Sequence, residues 1–135
     1  SGDDVVFTLD THFADYADTQ EGRNLPVAHC LKDTAGHTLY GRVEKLLRES
    51  DQRFLKNTFG SDALYEYLKT EPFESIELAG VVSNICVISN AVLAKTAQPE
   101  TPMSVDARCT ASNDAALNKA ALEVMESLQI RILNR

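Results

Sequence analysis

Two spacings of apolar residues alternate along the chain, and together they predict alternating strands and helices. Short continuous apolar runs rich in β-branched residues are typical of strands buried in a parallel sheet. Apolar residues three and four positions apart predict amphipathic helices. The predicted strands are residues 5–9, 54–55, 75–82, 101–105 and 130–133, and the predicted helices are residues 39–47, 61–69, 84–95 and 113–128.

This order of elements predicts an α/β fold with a parallel sheet and helices on both faces. The sequence contains no repeat and no linker, so residues 1–135 are predicted to form a single domain. In parallel sheets, ligands bind at the carboxyl ends of the strands. The first candidates for a site are therefore polar residues just beyond the predicted strands: Asp10, Lys56 and the segment from Ser83 to Cys86.

Composition and charge exclude several classes of function. The 135 residues are 44% hydrophobic and 24% charged, as in a folded globular domain. The net charge of −7 would repel phosphates, and the longest apolar run falls far short of the ~20 residues of a membrane span. Neither nucleic acid nor a membrane is therefore an expected partner. Three cysteines without a CxxC pair indicate reduced thiols, so we expect a cytoplasmic protein.

Cys86 is the candidate nucleophile, because it lies where a predicted strand passes into a predicted helix. Backbone N–H groups in the first turn of a helix, together with the helix dipole, favour a thiolate and can hold a developing oxyanion. A cation such as Lys56, after its own strand, would favour the thiolate further. Two alternatives stay open: Cys86 is a small buried apolar residue, or Cys30 and the adjacent His29 form a Cys–His pair.

Several segments resemble the isochorismatase-like cysteine hydrolases, a family that includes nicotinamidases. Residues 80–87, GVVSNICV, resemble the nucleophile motif, and residues 54–61, FLKNTFGS, resemble the lysine motif. Asp10-Thr11-His12, Glu21-Gly22 and residues 25–30, LPVAHC, resemble the metal-and-substrate loop. These matches occur in the order that the family has. The resemblance implies a three-layer α/β/α sandwich around a six-stranded parallel sheet.

The resemblance also implies a chemistry. Cys86 would attack the carbonyl of a small amide, such as nicotinamide, to give a thioester and ammonia, and water would hydrolyse the thioester to nicotinate. Lys56 would stabilise the thiolate, and the backbone N–H groups of Val82 and Cys86 would form the oxyanion hole. A cis peptide between Val81 and Val82 is typical of the family. Isochorismatases proper lack the cysteine, so Cys86 favours amide hydrolysis.

Four residues match positions that bind a divalent metal ion, usually zinc or a similar ion, in nicotinamidases: Asp10, His12, Glu21 and His29. Two histidines with two carboxylates suit such an ion, and in those enzymes it holds the ring nitrogen of the substrate. The alternative is a solvated loop in which these side chains pair with one another. His37 lies outside the pattern and is interpreted as a surface residue.

Three aromatic residues near these motifs, Phe13, Tyr16 and Phe59, are candidates for the wall of a substrate pocket. The alternative is that they seal the edge of the core. Ser83 and Asn84, beside the cysteine, are expected to cap the helix, and the alternative is that they bond the substrate. The last helix is expected to face the core with one apolar stripe: Leu117, Ala121, Val124 and Leu128.

The sequence departs from the family at the proton acceptor. In the family, an aspartate for this role ends a first strand that lies between the strands matching residues 5–9 and 75–82, and no segment here matches that strand. A sheet without its middle strand leaves two ladders unpaired. We therefore expect that this chain supplies all but the first strand and is completed by a separate N-terminal fragment. The resemblance also implies a homo-oligomer.

Other functions stay open. A non-catalytic binding or scaffold protein would keep the fold without the chemistry. A hydrolase of another small amide or of a carbamoyl compound would keep both the fold and the cysteine chemistry. An electron-carrier or receiver-type domain fits less well, because the acidic cluster and strand-end lysine are not in the order that a receiver requires.

Overall fold

The computed structural model describes residues 3–135, which divide into two units, residues 3–58 and Phe59–Arg135. Each unit has its own parallel sheet, with two strands in the first and three in the second. The predicted α/β class, with parallel strands and intervening helices, is confirmed. No helix in the described part of the chain combines the length and the apolar character needed to cross a membrane.

In the first unit, strand β1 (Val6–Asp10) pairs in parallel with strand β2 (Gln52–Lys56). The register sets Asp10 opposite Lys56 at the carboxyl ends of the two strands. The polar loop that follows β1 starts there, at the edge where a parallel sheet places its ligand site. The connection between the strands contains helices α1 (Gln20–Asn24) and α2 (Arg42–Leu46) and 3-10 turns at Tyr16–Asp18 and Ala35–His37.

The helix predicted at residues 39–47 is shorter in the structure, where α2 has five residues. Gly41 precedes it with a φ of 62°, a conformation that residues with a side chain rarely adopt. The helix therefore begins at Arg42, and its apolar residues Val43 and Leu46 are exposed. Helical spacing alone does not extend a helix, because most helical stability comes from packing of the apolar face.

The second unit contains three parallel strands in the order β3–β4–β5: β3 (Ile76–Val81), β4 (Met103–Ala111) and β5 (Arg131–Leu133). Its α-helices are α3 (Asp62–Thr70), α4 (Ile88–Ala97) and α5 (Ala115–Ser127). Helix α3 begins as predicted, since the Ser61 hydroxyl accepts a hydrogen bond from the Leu64 N–H. The core is built around side chains that are almost wholly buried, among them Val105, Met125 and Ile130.

Strand β4 is longer than the predicted residues 101–105, because it continues through polar residues to Ala111. Its pairing with β3 is irregular, since Leu78 lies opposite Val105 but Gly80 lies opposite Thr110. Bulges of this kind are common next to functional sites. Strand β3 is less buried than its apolar run predicts, because Val81 at its carboxyl end is 68% exposed.

Helix α5 packs on the core with a face that differs from the predicted stripe. Its N-cap is Asp114, whose carboxylate accepts a hydrogen bond from the Leu117 N–H at 2.9 Å. The buried residues are also three and four positions apart, so the spacing permits either face and the tertiary packing selects one. The buried residues are Ala121, Leu122 and Met125, and the predicted core residues that are exposed are Leu117, Val124 and Leu128.

Asp51 stabilises the turn before β2. Its buried carboxylate accepts hydrogen bonds from the Arg48 backbone N–H at 2.8 Å and from Arg48 Nε at 2.7 Å. The backbone hydrogen bond is the largest cause that lowers the pKa of Asp51. The Arg48 side chain lowers that pKa further, against the desolvation that raises it.

A carboxyl whose pKa is lower in the folded than in the unfolded chain stabilises the fold above its unfolded pKa, and this contribution is lost as the pH falls through the folded pKa. Asp51→Asn should therefore lower the free energy of unfolding at neutral pH and flatten its fall on acidification. Urea denaturation across the acid range measures this. Asp33→Asn, in an exposed loop, is the control. An unaltered pH dependence in Asp51→Asn would contradict the expectation.

Candidate functional site

Lys56 and Asp10 form an ion pair at the carboxyl ends of neighbouring strands in the first unit. The buried Lys56 ammonium donates to Asp10 Oδ1 and, at 2.9 Å, to the Thr58 carbonyl. The parallel register favours this contact, because it sets the two residues opposite each other. A buried ammonium needs such partners, since an unpaired buried charge is costly. The structure thus joins two residues for which the sequence predicts separate roles.

The polar loop after β1 folds back so that its two histidines meet. The His12 N–H donates to the Cys30 carbonyl at 3.0 Å, and the Lys32 N–H donates to the His12 carbonyl at 2.8 Å. Cys30 has a φ of 47°, in the left-handed region, where the chain turns sharply. These contacts bring the rings of His12 and His29 to a centroid distance of 4.8 Å.

Three of the predicted metal ligands form a cluster in which the ligand atoms all lie within 4.8 Å of one another: Asp10, His12 and His29. The fourth, Glu21, has its Oε1 3.6 Å from His12 Nε2 and 3.5 Å from His29 Nε2. Glu21 lies in α1, which begins where the Thr19 hydroxyl accepts a hydrogen bond from the Gly22 N–H. The structure therefore has a possible metal site where the sequence predicts one.

The hydrogen bonds of the two histidines fit a metal ion. His29 Nδ1 lies 2.8 Å from the Val27 carbonyl, which can only accept, so Nδ1 carries the proton and Nε2 of the neutral ring keeps its lone pair. His12 Nε2 is buried and has no hydrogen-bond partner among the described residues. A cation held by both Nε2 atoms would satisfy this nitrogen. Without an ion, this nitrogen has Glu21 Oε1 at 3.6 Å, which is an ion-pair distance but not a hydrogen bond.

Tyr16 is the aromatic residue that packs against this cluster. Its buried ring makes edge-to-face contacts with His12 and His29, at centroid distances of 4.8 and 5.2 Å. Burial, followed by the charges of Glu21 and Asp10, raises the pKa of Tyr16. A neutral tyrosine therefore borders the two histidines up to an alkaline pH.

The other two aromatic candidates are more exposed. Phe13, in the first unit, is 53% exposed and has Lys32 Nζ 5.9 Å from its ring centroid. Phe59, in the second unit, is 45% exposed. The predicted aromatic pocket stays a prediction. A hollow of about 420 Å³ in the second unit is lined by other residues: Gly60, Ile88, Ser89, Val92 and Leu93.

His37 contacts the start of the loop, so its interpretation as a surface residue is wrong. It is half-buried, and its Nε2 lies 2.8 Å from the Thr11 hydroxyl. Because that hydroxyl donates to the Leu9 carbonyl at 3.2 Å, it accepts from His37. This hydrogen bond restrains Thr11, the residue between Asp10 and His12. No local pattern signals this contact, because the two partners are 26 positions apart.

Cys86 lies in the second unit, in the turn that follows β3, as predicted. The peptide between Val81 and Val82 is cis, as the resemblance implies. The turn itself differs from the prediction, because Ser83–Val87 is a π-helix instead of the first turn of an α-helix. π-Helical turns are rare and are frequent at functional sites.

Ser83 and Asn84 do not cap a helix, so that prediction is wrong. The buried Ser83 hydroxyl donates to Asn118 Oδ1 at 2.6 Å, which ties the turn to α5. Asn84 Oδ1 is buried and has no hydrogen-bond partner among residues 3–135. The backbone begins the turn instead, since the Val82 carbonyl accepts from the Val87 N–H at 3.1 Å.

The three cysteines are present as thiols, and their exposures differ. Cys86 and Cys30 are half-buried, whereas Cys109 is exposed in β4. The half-buried position of Cys86 disfavours its interpretation as a fully buried core residue.

Comparison with known families identifies the class of protein. A family model, the isochorismatase domain, matches residues 1–134. The chain belongs to the isochorismatase family. No curated protein sequence matches it significantly.

Solved structures similar to this isochorismatase-family chain include nicotinamidases and pyrazinamidases. The nicotinamidase/pyrazinamidase of Bacillus subtilis has a TM-score of 0.84 at 26% identity, covering 98% of this chain and 76% of that one. The pyrazinamidase/nicotinamidase of Streptococcus mutans has a TM-score of 0.83 at 23% identity, with coverages of 98% and 76%. The pyrazinamidase of Pyrococcus horikoshii, solved in complex with zinc, has a TM-score of 0.81 at 21% identity, with coverages of 99% and 76%.

Proposed function

We propose that this protein is a cysteine hydrolase that cleaves a small amide, with nicotinamide as the candidate substrate. The observation that carries the proposal is the position of Cys86 in the turn after β3, at the carboxyl end of a parallel strand, where α/β folds bind ligands. Membership of the isochorismatase family and the likeness to the Bacillus subtilis nicotinamidase support it.

The proposed reaction has two steps. The Cys86 thiolate attacks the amide carbon to form a C–S bond, and the C–N bond breaks as the nitrogen takes up the proton that the thiol released and leaves as ammonia. Water then cleaves the thioester to the carboxylic acid and returns the thiol. The backbone N–H groups of Val82 and Cys86 hold the oxyanion in each step. The family resemblance implies that Lys56 would favour the thiolate through its positive charge.

The proton acceptor for the thiol is proposed to be an aspartate on a strand that no segment here matches, as the family resemblance implies. Asp10 is not given this role, because its carboxylate accepts from Lys56 and belongs to the possible metal site. Activity is therefore expected of protein that contains this aspartate.

We propose in addition that Asp10, His12 and His29, with Glu21, hold a divalent ion. Zinc is the candidate, because two imidazole nitrogens and carboxylate oxygens suit it and the Pyrococcus horikoshii pyrazinamidase was solved with it. When bound, the ion would act as a Lewis acid toward a ring nitrogen of the substrate. Tyr16 packs on both imidazole rings and restricts their orientation.

Cys86→Ala should abolish the activity, because alanine offers no nucleophile. Ammonia release from nicotinamide, measured on protein that contains the family's aspartate, should fall by at least about a thousandfold. Cys109→Ala, which removes an exposed thiol, is the matched control and should leave the rate unchanged.

Three outcomes of this assay would change the proposal. Undiminished ammonia release in Cys86→Ala would exclude Cys86 as the nucleophile. Release from another small amide or a carbamoyl compound, but not from nicotinamide, would correct the substrate. No release from any such compound, with Cys86 alkylated no faster than Cys109, would favour a non-catalytic binding protein.

His29→Ala should weaken zinc binding, because it removes one of the two imidazole ligands. Calorimetric titration of metal-free protein with zinc should show a loss of affinity of at least about a hundredfold relative to the wild type. Asp15→Asn changes an exposed carboxylate in the same loop and should bind zinc like the wild type. Equal affinities of His29→Ala and the wild type would rule out this ligand set.

A further inference from the structure

Asn90, in α4, is a buried amide whose donors and acceptor are engaged by the backbone. The residue is 6% exposed. Its Nδ2 donates to the Cys86 carbonyl at 2.8 Å and to the Phe59 carbonyl at 3.1 Å, and its Oδ1 accepts from the Ser61 N–H at 2.9 Å. One side chain therefore joins α4, the turn that contains Cys86 and the segment that leads into α3.

These contacts distinguish Asn90 from other polar residues of the same helix. The Ser89 and Thr96 hydroxyls each donate to the carbonyl four positions back, at 2.7 Å. Such bonds satisfy the side chain within its own helix. Asn90 makes the equivalent bond to Cys86 and also contacts a second segment of the chain.

A buried amide is favourable only when its polar groups are paired, and an apolar side chain at this position would avoid the cost of desolvation. What the amide provides is a set of partners for backbone groups, namely the carbonyls of Phe59 and Cys86 and the N–H of Ser61. The bond to Cys86 restrains the peptide that follows it, inside the π-helical turn Ser83–Val87. The direction of the Cys86 side chain depends on that backbone.

We propose that Asn90 is a positioning residue for Cys86, which holds the π-helical turn in the conformation that presents the sulfur to a substrate carbonyl. This inference rests on the proposed role of Cys86 as the nucleophile. The side-chain amide of Asn90 bonds to backbone groups, so Asn90 acts on Cys86 through the hydrogen bond to the Cys86 carbonyl. Without that bond the turn becomes mobile and the thiolate becomes less reactive.

Alkylation of Cys86 by iodoacetamide tests the proposal without a substrate. Site-resolved mass spectrometry on protein that contains the family's aspartate gives the rate at Cys86 as a function of pH. In Asn90→Leu, which keeps the approximate size of the side chain but has no donors, the rate should fall about tenfold and the midpoint of the pH profile should move upward. In Asn90→Ser most of the rate should return, because a serine hydroxyl can donate to the carbonyl four positions back.

Thr96→Ala is the matched control, because it removes an exposed bond of the same type from the same helix. Its rate and pH midpoint should equal those of the wild type. Circular dichroism and urea denaturation show that each variant is folded under the conditions of alkylation. If Asn90→Leu does not fold, Asn90→Ala replaces it, with the same expected result.

Each contrary result has a distinct meaning. A wild-type rate and pH midpoint in folded Asn90→Leu would overturn the positioning role and leave the proposed function intact. A loss in Asn90→Ser as large as in Asn90→Leu would overturn the assignment of the effect to the Cys86 bond. If wild-type Cys86 reacts no faster than Cys109, the nucleophile proposal fails, and the positioning role fails with it.

Discussion

Both candidate centres depend on one constraint, namely that each is built from residues at the carboxyl end of a parallel strand. In the first unit, the register of β1 and β2 sets Asp10 opposite Lys56, and their side chains pair there. The Thr11 N–H continues the ladder by donating to the Lys56 carbonyl at 2.7 Å. His12 then begins the loop of candidate metal ligands. A register shift of one residue would turn these side chains to opposite faces of the sheet and separate them.

In the second unit, the same constraint acts at the end of β3. The pairing with β4 changes register before Gly80, and the chain leaves the sheet through Val82 into the turn that contains Cys86. Two buried polar side chains hold this turn from different helices. Ser83 bonds to Asn118 of α5, and Asn90 of α4 bonds to the Cys86 carbonyl. Buried networks of this kind restrict the backbone when every member is paired.

Much of the fold is readable from the sequence, because buried strands and capped helices have local signals. The apolar runs locate every strand of the structure, and Ser61 marks the start of α3. Strand β4 is the exception in length, since polar residues such as Asp106 and Arg108 interrupt its pattern while β3 and β5 pair with it on both sides. Tertiary packing likewise decides which face of α5 is exposed, and the spacing of apolar residues does not predict it.

The residues that sequence analysis places in the metal loop meet in space, because they lie in short motifs next to a strand end. The contacts that the sequence does not predict join positions far apart in the chain. His37 meets Thr11 at a separation of 26 residues, and Asn90 meets Ser61 at a separation of 29. The π-helical turn at Cys86 is also not predicted, but for a local reason, since no apolar spacing distinguishes it from an α-helix over five residues.

The central claim is that Cys86 becomes covalently acylated. Protein that contains the family's aspartate, mixed with excess nicotinamide and quenched in acid during turnover, gives the direct test by intact mass and peptide mapping. We predict a mass increase equal to one nicotinoyl group, located on Cys86 and absent from Cys86→Ala. Steady ammonia release with Cys86 unmodified, or with the acyl group on another residue, would contradict the claim.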